Sequence, residues 1–241
     1  MYPYIHIGKY LLESYTLFIN LGTLIGILVM YIILGKCNIL EKNKWKLIII
    51  LLTIMGMSSP FARFIKGLFY NGNGTATHFI GRVLVALVVF ELIFAFSKDN
   101  NFRLEQVGNS IVMYLAIQHF FNRLSCLMNG CCGGKIIKGW NKPFPSQIFE
   151  MSGMLILMGL IVLHLHKRKS FYYLFYICFS IIIFISEFYI DDTRVNADKL
   201  YPITGVQLGA IILCILSLVF YILKMKLFKE SNQMIIAGNG Q

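Results

Sequence analysis

Apolar residues run along this chain in long blocks, separated by short stretches that hold most of the charge. A helix that spans a bilayer needs about 20 apolar residues. Seven blocks come near that length: Thr16–Gly35, Leu47 to about Leu68, Phe79–Phe96, Val107–Met128, Gln147–His164, Phe171–Ile190 and Gly205–Leu223. The pattern predicts an all-α polytopic membrane protein of about seven transmembrane helices. They form one domain over residues 1–230, followed by a short cytoplasmic tail at 231–241.

The second block is irregular. Leu47–Ser59 is uncharged but only 13 residues long, and "PFARFIK" follows with Pro60, Arg63 and Lys66. Such a helix rises about 20 Å, short of a hydrocarbon core of about 30 Å. Pro60 breaks or kinks it. Broken helices persist at membrane depth where protein or a water-filled cavity satisfies the backbone. The expectation is a central cavity open to lipid.

Composition agrees with the block pattern. Of 241 residues, 57% are hydrophobic and 14% charged, with a mean hydropathy of +0.70. The N-terminal "MYPYIHIGKYLLESY" lacks the basic start and apolar core of a signal peptide. It reads as a Tyr-rich interfacial arm. The formal net charge of +11 could suggest nucleic acid, but no basic soluble region exists to bind it. The loops account for the charge instead. "KCNILEKNKWK", "SKDNNFRLEQ", "HKRKS" and "KMKLFKE" hold 12 of the 22 Lys and Arg. The alternate loops hold five: Lys135, Lys138, Lys142, Arg194 and Lys199. Basic loops stay in the cytoplasm. The bias therefore predicts an outside N-terminus and a cytoplasmic C-terminus.

Ionisable residues within a membrane are expensive and usually face a cavity. His78, Arg82, Arg63, Lys66, Arg123, Glu150 and Glu187 all fall near the outer ends of spans two to six. Cations outnumber anions among them, which suits an anionic substrate such as an outer-leaflet phospholipid headgroup or a soluble anion. Plainer readings stand beside this one. Arg63 and Lys66 can snorkel to headgroups. Arg82 can do the same, or pair with Glu91. Glu187 can be an interfacial carboxylate, and His78 a hydrogen-bonded structural residue. His78 is also the first general-base candidate, because histidine titrates near neutrality. Arg123 is a candidate phosphate anchor, since its guanidinium presents a fork of donors. His119 lies one helical turn before it and can share its face. His164 and His166 sit in the basic "HLHKRK" and read as solvated.

In "NRLSCLMNGCCGGK" the cysteines Cys126, Cys131 and Cys132 give C-x4-C-C. Zinc prefers two CxxC-like pairs, or cysteine with nearby histidine, and neither pattern is present. No metal or cofactor is expected. Packing by small polarizable side chains or a disulfide on the oxidising outer side remain open. Cys37, Cys178 and Cys214 are scattered.

"HFIG", "NRLSCLMNGCCGG" and "FPSQIFE" occur in order and with compatible spacing. Through them the chain resembles the prolipoprotein diacylglyceryl transferases, in a divergent branch with a GCC-type loop. The resemblance implies an enzyme of the bacterial cytoplasmic membrane, with its site toward the outer leaflet. It would transfer a diacylglyceryl group from phosphatidylglycerol to the lipobox cysteine thiol of a preprolipoprotein signal peptide, releasing glycerol phosphate. By the same resemblance Tyr15, His78, Arg123 and Glu187 fall on catalytic positions. Arg82, by its place in the outer half, is a further candidate for binding substrate. Gly130 and Gly134 match the signature bend, Ser146, Gln147 and Glu150 a conserved-type serine–glutamine–glutamate stretch, and Gln207 the glutamine opening the last span.

The chain also departs from that pattern. Cys126 and Cys131 replace an asparagine and a glutamate, Phe79 a glycine and Phe144 a histidine. Ile183 replaces a second arginine, Phe179 a tyrosine and Asn109 an aspartate. Arg82 or Arg63 are the residues available to stand in for the lost arginine. Two alternatives follow: a lipid transferase of the same fold with another peptide acceptor, or a non-catalytic lipid-binding or transport protein.

Overall fold

The computed structural model describes residues 4–7, 10–36, 45, 48, 52, 78–96, 101–131, 145–164, 172–190, 199–200 and 203–238. These form six long helices and two short hairpins. In chain order they are β1 (Tyr4–Ile7), β2 (Tyr10–Glu13), α1 (Ser14–Lys36), α2 (His78–Phe96), α3 (Asn101–Asn129), α4 (Ser146–His164), α5 (Tyr172–Ile190), β3 (Lys199–Leu200), β4 (Ile203–Thr204) and α6 (Gly205–Gly238). Helices coincide with six of the seven apolar blocks, although α3 starts six residues ahead of its block and α6 runs past the end of its own. The second predicted span, with Arg63 and Lys66, lies outside the described residues apart from Ile48 and Leu52.

The N-terminal arm is more ordered than its sequence suggests. β1 and β2 pair antiparallel, with Tyr4 opposite Glu13 and Ile7 opposite Tyr10. Gly8 and Lys9 separate them, a two-residue connection of the length that favours hairpins. β2 then runs directly into α1. The last helix also exceeds its span: α6 continues past Leu223 through a basic, polar stretch to Gly238.

The arrangement centres on α3. It packs against α1, α2, α4 and α5, while α6 bridges α5 and α2. α3 is the least apolar of the six helices, yet residues 106–119 are buried without a break. In water this would be backwards. In a bilayer the lipid side is the apolar one, so polar side chains collect between helices. Gln106, Asn109, Ser110, Gln118, His119, Arg123 and Ser125 are buried on this one helix. The outer helices show the complementary surface. Leu24 of α1 is 66% exposed, Ile156 and Leu163 of α4 are 66% and 71% exposed, and Ile215 of α6 is 56% exposed. Three helices are long and apolar enough to cross a membrane as described: Ser14–Lys36, Ser146–His164 and the Val206–Lys224 part of α6.

Helices in lipid gain little from the hydrophobic effect between themselves and associate through close packing of small residues. α1 meets α3 this way. Gly22 lies under Phe121, and a Cβ at Gly26 would come within 2.8 Å of the Tyr114 ring. Gln118 Nε2 donates to Thr23 Oγ1 at 3.3 Å across the same contact.

A second polar cluster sits at the opposite ends of the helices from Arg123. Tyr172 OH donates to Glu91 Oε1 at 2.9 Å, and Lys224 Nζ lies 5.3 Å over the Tyr172 ring. Phe90 meets Tyr172 edge-on at 5.3 Å. Here one expectation is corrected. Glu91 pairs with Tyr172, not with Arg82, because nine residues along a helix amount to about two and a half turns, which puts the two on opposite faces.

The glycine contacts generate a test. Gly26→Leu forces a branched side chain into the Tyr114 ring and should destabilise the protein by roughly 1–3 kcal/mol. Gly159→Ala, at a position with nothing within 4 Å of an added Cβ, should leave stability unchanged or slightly raised. Thermal unfolding of both variants in detergent micelles checks the contrast; equal midpoints would contradict the described α1–α3 contact.

Candidate functional site

The site is built where α3 ends and α4 begins. His119 and Arg123 stand one turn apart near the C-terminal end of α3, so their side chains project from one face. Glu150 stands one turn into α4. Its carboxylate is fully buried, at 0% exposure. His119 Nε2 and Arg123 Nε each lie 2.6 Å from the same oxygen, Glu150 Oε2. The other oxygen, Oε1, is buried with no hydrogen-bond partner among the described residues. The bond from Arg123 to Glu150 is thus made through Nε, at the root of the guanidinium, to Oε2.

A buried carboxylate is stable only when paired and hydrogen-bonded. Glu150 has both in one place, a guanidinium and an imidazole. Phe179 of α5 closes the other side of His119, with ring centroids 5.7 Å apart at 62°. Arg123 itself is 7% exposed. Three helices thus enclose one ion pair near the C-terminal end of α3.

The end of α3 is shaped by its glycine. Gly130 has φ 68°, a left-handed conformation that side chains disfavour. Gly130 N donates to Leu127 O at 3.2 Å and Cys131 N to Cys126 O at 3.0 Å. This paired pattern is a Schellman cap, which satisfies carbonyls that the helix end leaves open. The cap turns the Cys131 carbonyl toward α4, where Gln147 Nε2 donates to it at 2.6 Å. At the start of α4, Ile148 N and Phe149 N both reach Pro145 O, at 3.0 and 3.2 Å. The bend and the "PSQ" stretch are thereby joined.

The predicted site residues fall into three groups. Arg123, Glu150, Gln147 and Gly130 come together, with Ser146 buried beside them in the first turn of α4. Tyr15, Arg82 and Gln207 lie on other helices. Tyr15 is 38% exposed in the first turn of α1, and Gln207 is buried in the first turn of α6. Arg82 is half-buried, and its Nε has no hydrogen-bond partner among the described residues. His78 opens α2 and Glu187 lies in the last turn of α5, but their side chains are outside the described residues, as is Gly134. Ile183, where the second arginine of the resembling pattern was expected, is a buried core residue of α5.

The sequence reading placed His119 on the Arg123 face but gave it no partner. The missing piece was Glu150, which lies 31 residues away on a different helix. No spacing along the chain reports that contact. Cys126 is buried behind the cap and Cys131 is exposed on it, while Cys132 and Cys37 lie outside the described residues.

A family model described as Prolipoprotein diacylglyceryl transferase matches residues 3–223 of the 241. No curated protein matches the chain.

The shared carboxylate gives a stability prediction. Glu150→Leu strands Arg123 in the interior and should lower stability by roughly 3–5 kcal/mol, the usual effect of removing one partner of a buried pair. The double variant Arg123→Leu, Glu150→Leu should recover most of that loss. A double-mutant cycle on unfolding midpoints in micelles measures the coupling, and strictly additive effects would refute the pair. At the cap, Gly130→Val should lose about 1–2 kcal/mol to the left-handed backbone, and Gly130→Asn clearly less.

Proposed function

The chain belongs to the prolipoprotein diacylglyceryl transferase family, and we propose that it moves a diacylglyceryl group from phosphatidylglycerol to the lipobox cysteine thiol of a preprolipoprotein. Family membership makes it a membrane-embedded transferase of lipoprotein biosynthesis. The donor, the acceptor and the residue roles are our reading. It takes place at the outer leaflet of a bacterial cytoplasmic membrane, in a seven-span protein with its N-terminus outside and a cavity open to the bilayer.

In this reaction the acceptor sulfur attacks the glyceryl carbon that carries the phosphate ester. A C–S bond forms, the C–O bond to phosphate breaks, and glycerol phosphate leaves with the electron pair. The thiol proton passes to a base. The protein must therefore hold the phosphate, stabilise the charge that develops on it, and favour the thiolate.

The single observation that carries the reading is the buried Arg123, held through Nε by Glu150 near the C-terminal end of α3. The bond to the carboxylate is made through Nε, and the guanidinium carries two further nitrogens. Those nitrogens are the donors we assign to the headgroup phosphate, in the fork geometry that suits phosphate oxygens. His78 is the base candidate, Glu187 orients a donor, and Tyr15 hydrogen-bonds the headgroup. We assign Gly130, Gly134, Ser146 and Gln147 to binding of the headgroup, together with Arg82 and Gln207. Arg82 is the cation that stands in for the absent second arginine.

Purified protein supplied with labelled phosphatidylglycerol and a lipobox peptide tests the proposal. We expect label on the peptide cysteine, with turnover reduced about 100-fold or more in Arg123→Ala and clearly reduced in Arg82→Ala. Label on another acceptor points to a different peptide substrate. Lipid binding without any transfer points to a binding or transport protein, and either result overturns the assignment.

A further inference from the structure

One feature of the site lies outside the roles assigned above. Glu150 Oε2 receives two donors at the same distance, Arg123 Nε and His119 Nε2, both at 2.6 Å. His119 is 1% exposed and deeper in the bundle than Arg123, one turn back along α3. Its ring rests edge-on against Phe179. A core histidine needs only a hydrogen bond to be satisfied. This one donates to the same oxygen that already accepts from the Arg123 guanidinium.

We infer that His119 is a positioning residue that sets how strongly Glu150 holds Arg123, and thereby how much of the guanidinium's charge is left for an anionic phosphate headgroup. The inference deepens the phosphate-binding role of Arg123 and rests on it. Two donors on one carboxylate oxygen compete for the same electron density. In a water-poor interior each such bond is stronger and is felt more by its neighbour than in solution. With the imidazole N–H in place, Glu150 is partly satisfied and grips Arg123 less. Without it, Arg123 must satisfy the carboxylate alone. The guanidinium is then drawn into the internal pair, and an incoming phosphate must compete with a stronger rival.

His119 does not touch the substrate in this arrangement. It acts from beneath, through Glu150. The Nε2 bond fixes the carboxylate plane, and the plane fixes the direction of the Arg123 Nε–H. The neighbouring oxygen Oε1, which has no hydrogen-bond partner among the described residues, leaves the carboxylate no second anchor of its own. The orientation of Arg123 therefore depends on the His119 contact more than it would in a bidentate pair.

Two substitutions separate donor from ring. His119→Phe keeps an aromatic ring against Phe179 and removes the donor. His119→Gln keeps an N–H donor at about the reach of Nε2 and removes the ring. Steady-state transfer from phosphatidylglycerol in mixed micelles to a lipobox peptide gives KM and kcat for the lipid. We expect His119→Phe to raise KM about tenfold, the loss that accompanies one hydrogen bond to a charged group, with kcat within about threefold of the parent protein. His119→Gln should restore KM to within about threefold. A normal KM in His119→Phe would reduce His119 to packing and overturn the inference. Loss of kcat in both variants would make it the proton acceptor itself, which also overturns it. If His119→Phe fails to accumulate in membranes, His119→Leu read against His119→Gln supplies the same contrast. Arg123→Ala in the same assay keeps the two levels apart. An unchanged lipid KM there refutes the phosphate role and the inference with it. A raised KM there, with His119→Phe normal, refutes the inference alone.

Discussion

The junction of α3 and α4 depends on one buried carboxylate. Glu150 is removed from water completely, and its negative charge would be prohibitive there without compensation. Compensation comes from α3, through Arg123 and His119. The pair therefore specifies more than a local contact. It fixes which faces of α3 and α4 meet and at what depth, because a shift of one turn would strand both charges. Apolar packing between helices in lipid has no such register of its own. The Schellman cap and the Gln147 bond then fasten the ends of the same two helices a few residues beyond the pair.

The central helix makes sense in these terms. Among the described residues α3 carries seven of the fifteen buried polar side chains, more than any other helix, and it is surrounded by helices whose outward faces are largely leucine, isoleucine and valine. Several of its polar groups are satisfied locally. Ser110 and Ser125 donate back to their own helix, at 2.8 and 2.7 Å. Others reach across, as Gln118 does to α1. The polar cluster at Glu91, Tyr172 and Lys224 plays the corresponding part at the far ends of α2, α5 and α6. The bundle is thus tied by polar contacts near both ends, with apolar packing between.

Much of this was legible in the chain and some was not, for identifiable reasons. Helix positions followed from apolar block length, because the bilayer sets that length: the first block predicted Thr16–Gly35 and the helix is Ser14–Lys36. The shared face of His119 and Arg123 followed from a four-residue spacing, and the bend at Gly130 from its glycines. Glu150 was legible as a polar residue in a span, but its role as the common partner was not, since contacts between helices leave no periodic trace. The Arg82–Glu91 pairing failed because charge complementarity was considered without helical phase. The N-terminal hairpin was missed because its strands are short and Tyr-rich, which reads equally well as an interfacial arm. Membership in the transferase family, by contrast, was carried by an ordered set of short motifs, and the family match over residues 3–223 bears it out.

The glycine contact between α1 and α3 has a consequence for traffic within the bilayer. Where Gly22 lies under Phe121 and Gly26 against Tyr114, the two helices touch almost backbone to ring, with no space for even a methyl group. An acyl chain cannot slide through such a seam. Phe121 is two residues from Arg123, about 200° around α3, so the seal lies at the depth of the site but on the opposite face of that helix. Any molecule arriving sideways from the surrounding leaflet must come around α1 rather than past it on this flank. The smallest residues in the protein thus act as a wall along this flank.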